Sequence, residues 1–124
     1  MIHSFPEEQA KKILENMYDY ATILLNNPHK IKRFRALLNK EKHPEIAEFR
    51  SLFIDYTDKK YTETDFETIM KVTAALIYFI MPQDLIPDME DGIGYLDDDA
   101  VIQVCKKLVQ DQLDLYRIWK QKKN

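Results

Sequence analysis

Apolar residues recur at every third or fourth position almost from end to end of this chain, and that period dictates its architecture. Ala10, Ile13, Leu14, Met17, Ala21, Leu24 and Leu25 trace one buried stripe. Ile31, Phe34, Leu37 and Leu38 trace a second, and Ile46, Phe49, Leu52, Phe53 and Tyr56 a third. Ile69, Met70, Thr73, Leu76, Ile77, Ile80 and Met81 make a fourth. Its flanking Ala74 and Ala75 leave so little polar surface that this helix is expected at the centre. Val101, Val104, Cys105, Leu108, Gln112, Leu115 and Trp119 mark the inner face of the last helix. No segment alternates with the period of two that a half-buried strand needs. The spacing predicts an all-α fold: a compact single-domain bundle of about five helices over residues 1–124, with a Pro/Asp/Gly-rich loop between the last two.

Punctuation agrees with the period. Ser4-Phe-Pro-Glu7 and Thr64-Asp-Phe-Glu67 read as capping boxes, a hydroxyl accepting from a first-turn N–H while the glutamate reaches back. Asn26-Asn27-Pro28 ends one helix and opens the next, because proline suits a first helical turn. Pro44 can open the third helix, Asp58-Lys-Lys-Tyr-Thr breaks it, and Asp97 or Asp98 caps the last one.

Composition narrows the class. A chain of 124 residues, 45% hydrophobic, is long enough for one proper core. Cys105 is the only cysteine, so there is neither a disulfide framework nor a multi-cysteine zinc site. That fits a reducing compartment. The first residues lack the basic and apolar regions of a signal peptide. The longest apolar run, Val72–Met81, stops well short of the ~20 residues a spanning helix needs. A cytoplasmic protein without a transmembrane segment is expected. A net charge of −3 argues against bulk nucleic-acid binding. There is no Gly-rich phosphate loop, no Gly-x-Ser-x-Gly and no His-Glu-x-x-His. His3, His29 and His43 stand near helix ends, where isolated histidines are solvated or capping, and Cys105 reads as a buried thiol.

Specific information is concentrated in one stretch. Both glycines of the chain, Gly92 and Gly94, lie between Pro82 and Asp99, together with two of the five prolines and seven carboxylates. No Lys, Arg or His occurs from Val72 to Cys105. Pro82 stops a helix and Pro87 fixes the return of the chain. Leu85 and Ile86, apolar between Asp84 and Pro87, are expected to anchor the loop in the core. Asp84 and Asp88 can accept loop amides, Gly94 can take a positive φ or a close approach, and Asp97 to Asp99 suit a helix N-terminus. A sharper reading makes Asp84, Asp88, Asp97 and Asp98 a cation site, since they come from the two ends of one loop and hard cations such as Mg²⁺ or Ca²⁺ take oxygen ligands. The spacing is not that of an EF-hand, and no histidine is near for zinc.

Tyr78-Phe-Ile-Met-Pro82-Gln-Asp84-Leu85-Ile86-Pro87-Asp88, followed by Gly94-Tyr95-Leu96-Asp97-Asp98, resembles the signature of the YkvA-like domain of unknown function. This is a bacterial family that also occurs as a module in some larger eukaryotic proteins. The resemblance covers residues 70–108, a helix-loop-helix. It implies a fold and a set of motif positions but no activity. One departure stands out. Family members carry an apolar-Pro-apolar bridge after the second Pro-Asp, and many are assigned to membranes; here Glu90-Asp91-Gly92 takes that place. Inserting those acids into a bilayer carries a large desolvation cost.

Outside the motif, His29-Lys-Ile-Lys-Arg-Phe-Arg interleaves bases with apolar residues. Such a segment can meet phosphates or anionic headgroups, although a basic outer face is the ordinary state of an amphipathic helix. With no nucleophile–base pair in view and no cofactor firmly implied, the expected function is a non-enzymatic binding or interaction module of the inhibitor or immunity type. It would present its acidic loop to another protein, with peripheral membrane contact left open. The alternative is a divalent-cation-dependent regulator or enzyme using the four aspartates.

Overall fold

A computed structural model describes the backbone of residues 6–80 and 98–123 and the side chains of 8–80 and 100–122. All regular structure among these residues is helical: α1 (Pro6–Leu25), α2 (Pro28–Lys40), α3 (Ala47–Thr57), α4 (Phe66–Ile80), α5 (Asp98–Leu108) and α6 (Gln110–Lys123), with a 3-10 turn at Pro44–Ile46 before α3. The all-α expectation holds for the described residues, which contain six α-helices where about five were expected.

Local chemistry explains the boundaries. α1 gives way to α2 at Asn27, whose extended backbone carries a side-chain oxygen accepting from the Lys30 N–H at 3.1 Å, with Pro28 in the first turn. Pro44 opens the 3-10 turn rather than α3 itself, and His43 Nδ1 caps it by accepting from the Glu45 N–H at 3.2 Å. α3 closes through Lys59, the only non-glycine residue with positive φ among those described, at 63°. The Lys59 N–H reaches the Tyr56 carbonyl and the Lys60 N–H the Asp55 carbonyl, at 3.0 and 2.9 Å. These are the two bonds of a Schellman cap with lysine in the position glycine favours. Left-handed geometry costs a side-chain-bearing residue roughly 1–2 kcal/mol. What the turn achieves is the delivery of Tyr61 into the interior, where it is 1% exposed.

The second capping box is displaced by one residue. Asp65 Oδ1, not Thr64, accepts from the Thr68 N–H at 2.8 Å. Thr64 is instead buried, and its hydroxyl has no hydrogen-bond partner among the described residues. Glu67 is thereby moved off the reach-back position and pairs with Lys71 one turn on, at 3.6 Å. The first box includes Ser4, which lies outside the described residues.

α4 is the centre, as its composition requires. Seven successive residues, Val72 to Tyr78, are buried. α1, α3 and α5 pack around it, α1 also contacts α5, and α2 bridges α1 and α3. Cys105 of α5 is fully buried and donates its thiol to the Lys71 carbonyl at 3.3 Å. Burial pushes that thiol up to about 12, which removes its reactivity.

The C-terminal stripe is corrected by the break at Val109. Beyond it Val109, Leu113 and Tyr116 are buried, whereas Leu108 and Leu115, expected inside, are exposed. The turn between α5 and α6 resets the helical phase, so of the stripe extrapolated beyond Cys105, Leu108 and Leu115 point outward while Gln112 and Trp119 stay half-buried, Trp119 against the core. Leu37, also expected inside, is exposed. It stands on the flank of α2, while Phe34 and Leu38 occupy the buried face.

Candidate functional site

Most residues singled out in the acidic segment, Pro82, Asp84, Leu85, Ile86, Pro87, Asp88, Gly94 and Asp97, lie outside the described residues. Asp98 opens α5, consistent with a role at that helix start, and its side chain also lies outside. Among the described residues, no three His, Cys, Asp or Glu side chains come together as a metal site. Two other places bring side chains into organised groups.

The first is a polar clamp between α3 and α6 that sequence spacing did not suggest. Asp55 is 7% exposed and accepts the Tyr116 hydroxyl at 2.6 Å and the Lys120 ammonium at 2.9 Å. Ser51 Oγ and the Tyr116 hydroxyl share a further bond of 2.5 Å. A phenol has one proton, and an ionised carboxylate only accepts. Tyr116 therefore donates to Asp55, and Ser51 donates to Tyr116. Burial alone would raise the Asp55 pKa, but the bonds from Lys120 and Tyr116 and the charges of Lys120 and Lys60 outweigh it and hold the carboxyl below its ordinary value. Burial, reinforced by the Asp55 bond, pushes the Tyr116 phenol up. A phenol held protonated against a hydrogen-bonded carboxylate is a poor base and a poor nucleophile, and among the described residues no histidine joins the group. Around it Tyr61 meets Tyr116 and Trp119 with ring centroids 5.1 and 4.9 Å apart, and Arg117 grips Glu48 through two nitrogens. The chemistry is that of a fastening.

The second place is a groove of about 330 Å³ between the C-terminal half of α1 and α2, with the buried Ile77 of α4 in its lining. Tyr20, Ile23, Phe34 and Leu37 give it an apolar lining, with Lys30 and Arg33 at its edge. Tyr20, Ile23 and Leu37 are 43, 56 and 38% exposed. Lys30, Arg33, Leu37 and Lys40 follow one another at spacings of three, four and three, which puts them on one face of α2. Arg35 points elsewhere and pairs with Asp58 at 2.6 Å, and no ion pair holds Lys30 or Arg33 among the described residues. The basic stretch is thus the wet side of α2 as expected, but it also borders apolar surface. The signal was visible in part: Leu37 sits one residue from the buried Leu38, and a helix face cannot bury both unless the cover is wide.

The family described as a protein of unknown function, DUF1232, matches residues 68–103, which run from α4 into α5. The uncharacterized membrane protein YkvA of Bacillus subtilis (strain 168) is 33% identical over 75 residues, covering 60% of this chain and 71% of that protein. No solved structure matches. At that identity, over most of the relative's length and through the Pro-x-Asp-Leu-Ile-Pro-Asp signature, this chain belongs to the YkvA-like family of unknown function.

Proposed function

We propose that this protein is a non-enzymatic binding module and that its working surface is the α1–α2 face. The observation carrying this reading is the groove: three large apolar side chains left exposed around a concavity, bordered by two cations without ion-pair partners among the described residues. Scattered exposed apolar residues are ordinary, whereas a contiguous concave set is the usual form of a recognition surface. The other organised group, around Asp55, holds its phenol protonated and offers no activated nucleophile. Among the described residues no helix is long and apolar enough to cross a membrane. The relative's name, a membrane protein, supports a working surface that meets a bilayer without spanning it.

An anionic apolar probe tests the groove directly. Anilinonaphthalene sulfonate should bind the folded protein with enhanced fluorescence, and Ile23→Ser with Leu37→Ser should abolish the enhancement while leaving the helical circular dichroism intact. Equal fluorescence from both proteins would remove the groove as a binding surface.

The divalent-cation reading of the acidic segment is tested separately. We expect Asp84 to act through hydrogen bonding, so Asp84→Asn should destabilise by roughly 1–3 kcal/mol. The loss should be the same in EDTA and in Mg²⁺ or Ca²⁺. A loss appearing only with the metal would establish a cation site, because a ligand bound only by the folded state must stabilise it.

A further inference from the structure

We infer that the α1–α2 face docks on an anionic lipid surface, an inference that rests on the binding-module reading above and names its partner. The layout matches the physical profile of an interfacial helix pair. Ile23 and Leu37 supply apolar side chains able to enter the acyl boundary. Tyr20 supplies an apolar ring with a polar tip, which suits the headgroup level. Lys30, Arg33 and Lys40 lie along the same face of α2, where long basic side chains lay their stems on apolar surface and extend their charges to phosphates.

Charge complementarity selects this partner over others. The whole chain is acidic at −3, and seven carboxylates fall between Pro82 and Asp99, so its global field repels an anionic surface. Attraction must come from a local patch. The bases at the groove, Lys30 and Arg33, have no acid opposite them in its lining. One exposed acid stands near, Asp19, four residues before Ile23 on the same side of α1, but it is not part of the groove lining, and Lys30, Arg33 and Lys40 outnumber it on this face. Of the other exposed apolar residues, Leu108, Leu115 and Ile118 stand near Asp111 and Asp114, and Phe66 stands between Asp65 and Glu67.

The test is co-sedimentation of the full chain with vesicles of phosphatidylcholine alone and with phosphatidylglycerol added. Binding is expected only with the anionic lipid, and it should weaken as salt rises through the range where the Debye length falls below ~10 Å. Lys30→Glu with Arg33→Glu should lower partitioning by about tenfold or more, since each basic residue near such a surface contributes severalfold. Lys11→Glu with Lys122→Glu makes the same change in net charge away from the face and should lower it far less. Ile23→Ser with Leu37→Ser should also release the protein. Equal binding to both vesicle types, or equal losses from the two charge-reversed pairs, overturns the inference. If dye binds the groove but no vesicle sediments the protein, the lipid partner is wrong and the binding-module reading survives. If neither binds, both fail. A concentration-dependent dimer, dispersed by Ile23→Ser with Leu37→Ser and blind to vesicles, would assign the face to a second copy of the chain and overturn the lipid inference as well.

Discussion

Phe53→Ala should destabilise the protein by about 3–5 kcal/mol, the range for a large aromatic removed from a core that cannot collapse. Phe53 is fully buried, and its ring meets Phe34 edge-on, with centroids 5.5 Å apart and planes at 77°. That contact joins α3 to α2, and α2 carries half of the proposed docking face. The expected loss is a large share of the roughly 5–15 kcal/mol that stabilises a domain of this kind. Urea titration should therefore show the midpoint collapsing towards zero denaturant, with helix lost in a single transition. Phe66→Ala is the matched control. Phe66 opens α4 but is 42% exposed, so its truncation should cost under about 1 kcal/mol. Comparable losses from the two variants would contradict the burial pattern on which the fold rests.

Asp55→Asn should destabilise by about 1.5–3 kcal/mol at neutral pH, and the penalty should vanish in acid. The amide keeps the shape but weakens the bond from Tyr116 and abolishes the ion pair with Lys120. Lys120 is about half exposed, so the ion pair contributes little and most of the loss belongs to the Tyr116 bond. The pH dependence follows from the lowered carboxyl. A group whose folded pKa lies below its unfolded value of about 3.9 contributes stability that is fully present above the unfolded value. That contribution is lost as pH falls through the folded pKa. The wild-type and Asp55→Asn stability curves should therefore be separated at pH 6 to 7 and draw together as pH falls from about 3.9 through the folded pKa. A constant separation across that range would show that the carboxylate's charge plays no part in the clamp.

Much of the fold was legible because helix formation is local. The stripes of α1, α3 and α4 are spaced almost wholly within one element, and the structure buries most of them, with Leu25, Tyr56, Met70 and Ile80 half-buried against the core and Met81 outside the described residues. Asn27 and Pro28 marked a boundary because a cap acts on amides two or three residues away. Cys105 could be assigned to the core for the same reason. Errors arose where a choice depended on something distant. Thr64 and Asp65 are both competent caps, and only the burial of Thr64 in the tertiary core leaves the role to Asp65. Val101 to Trp119 reads as one continuous stripe, and the turn at Val109 rotates the second half of it.

The candidate sites divide in the same way. The Pro-x-Asp-Leu-Ile-Pro-Asp motif identified the family because a signature is a one-dimensional object, and the match over residues 68–103 agrees with it. The clamp was illegible: Asp55 and Tyr116 are 61 residues apart, and each alone is an ordinary residue on an ordinary helix. The groove was half legible, since the bases of α2 were visible as a charged face. Whether apolar surface lay beside them depended on how far α1 overlaps α2. By itself the sequence determined the helical class, the central position of α4 and the family, all of which follow from periodicity, composition and motif spacing along the chain. Only the tertiary structure decided which of two adjacent apolar residues, Leu37 or Leu38, faced water, and which acid, base and phenol met at the α3–α6 junction. Those outcomes depend on the packing of one helix against another, and the local periodicity of a helix does not specify its neighbour.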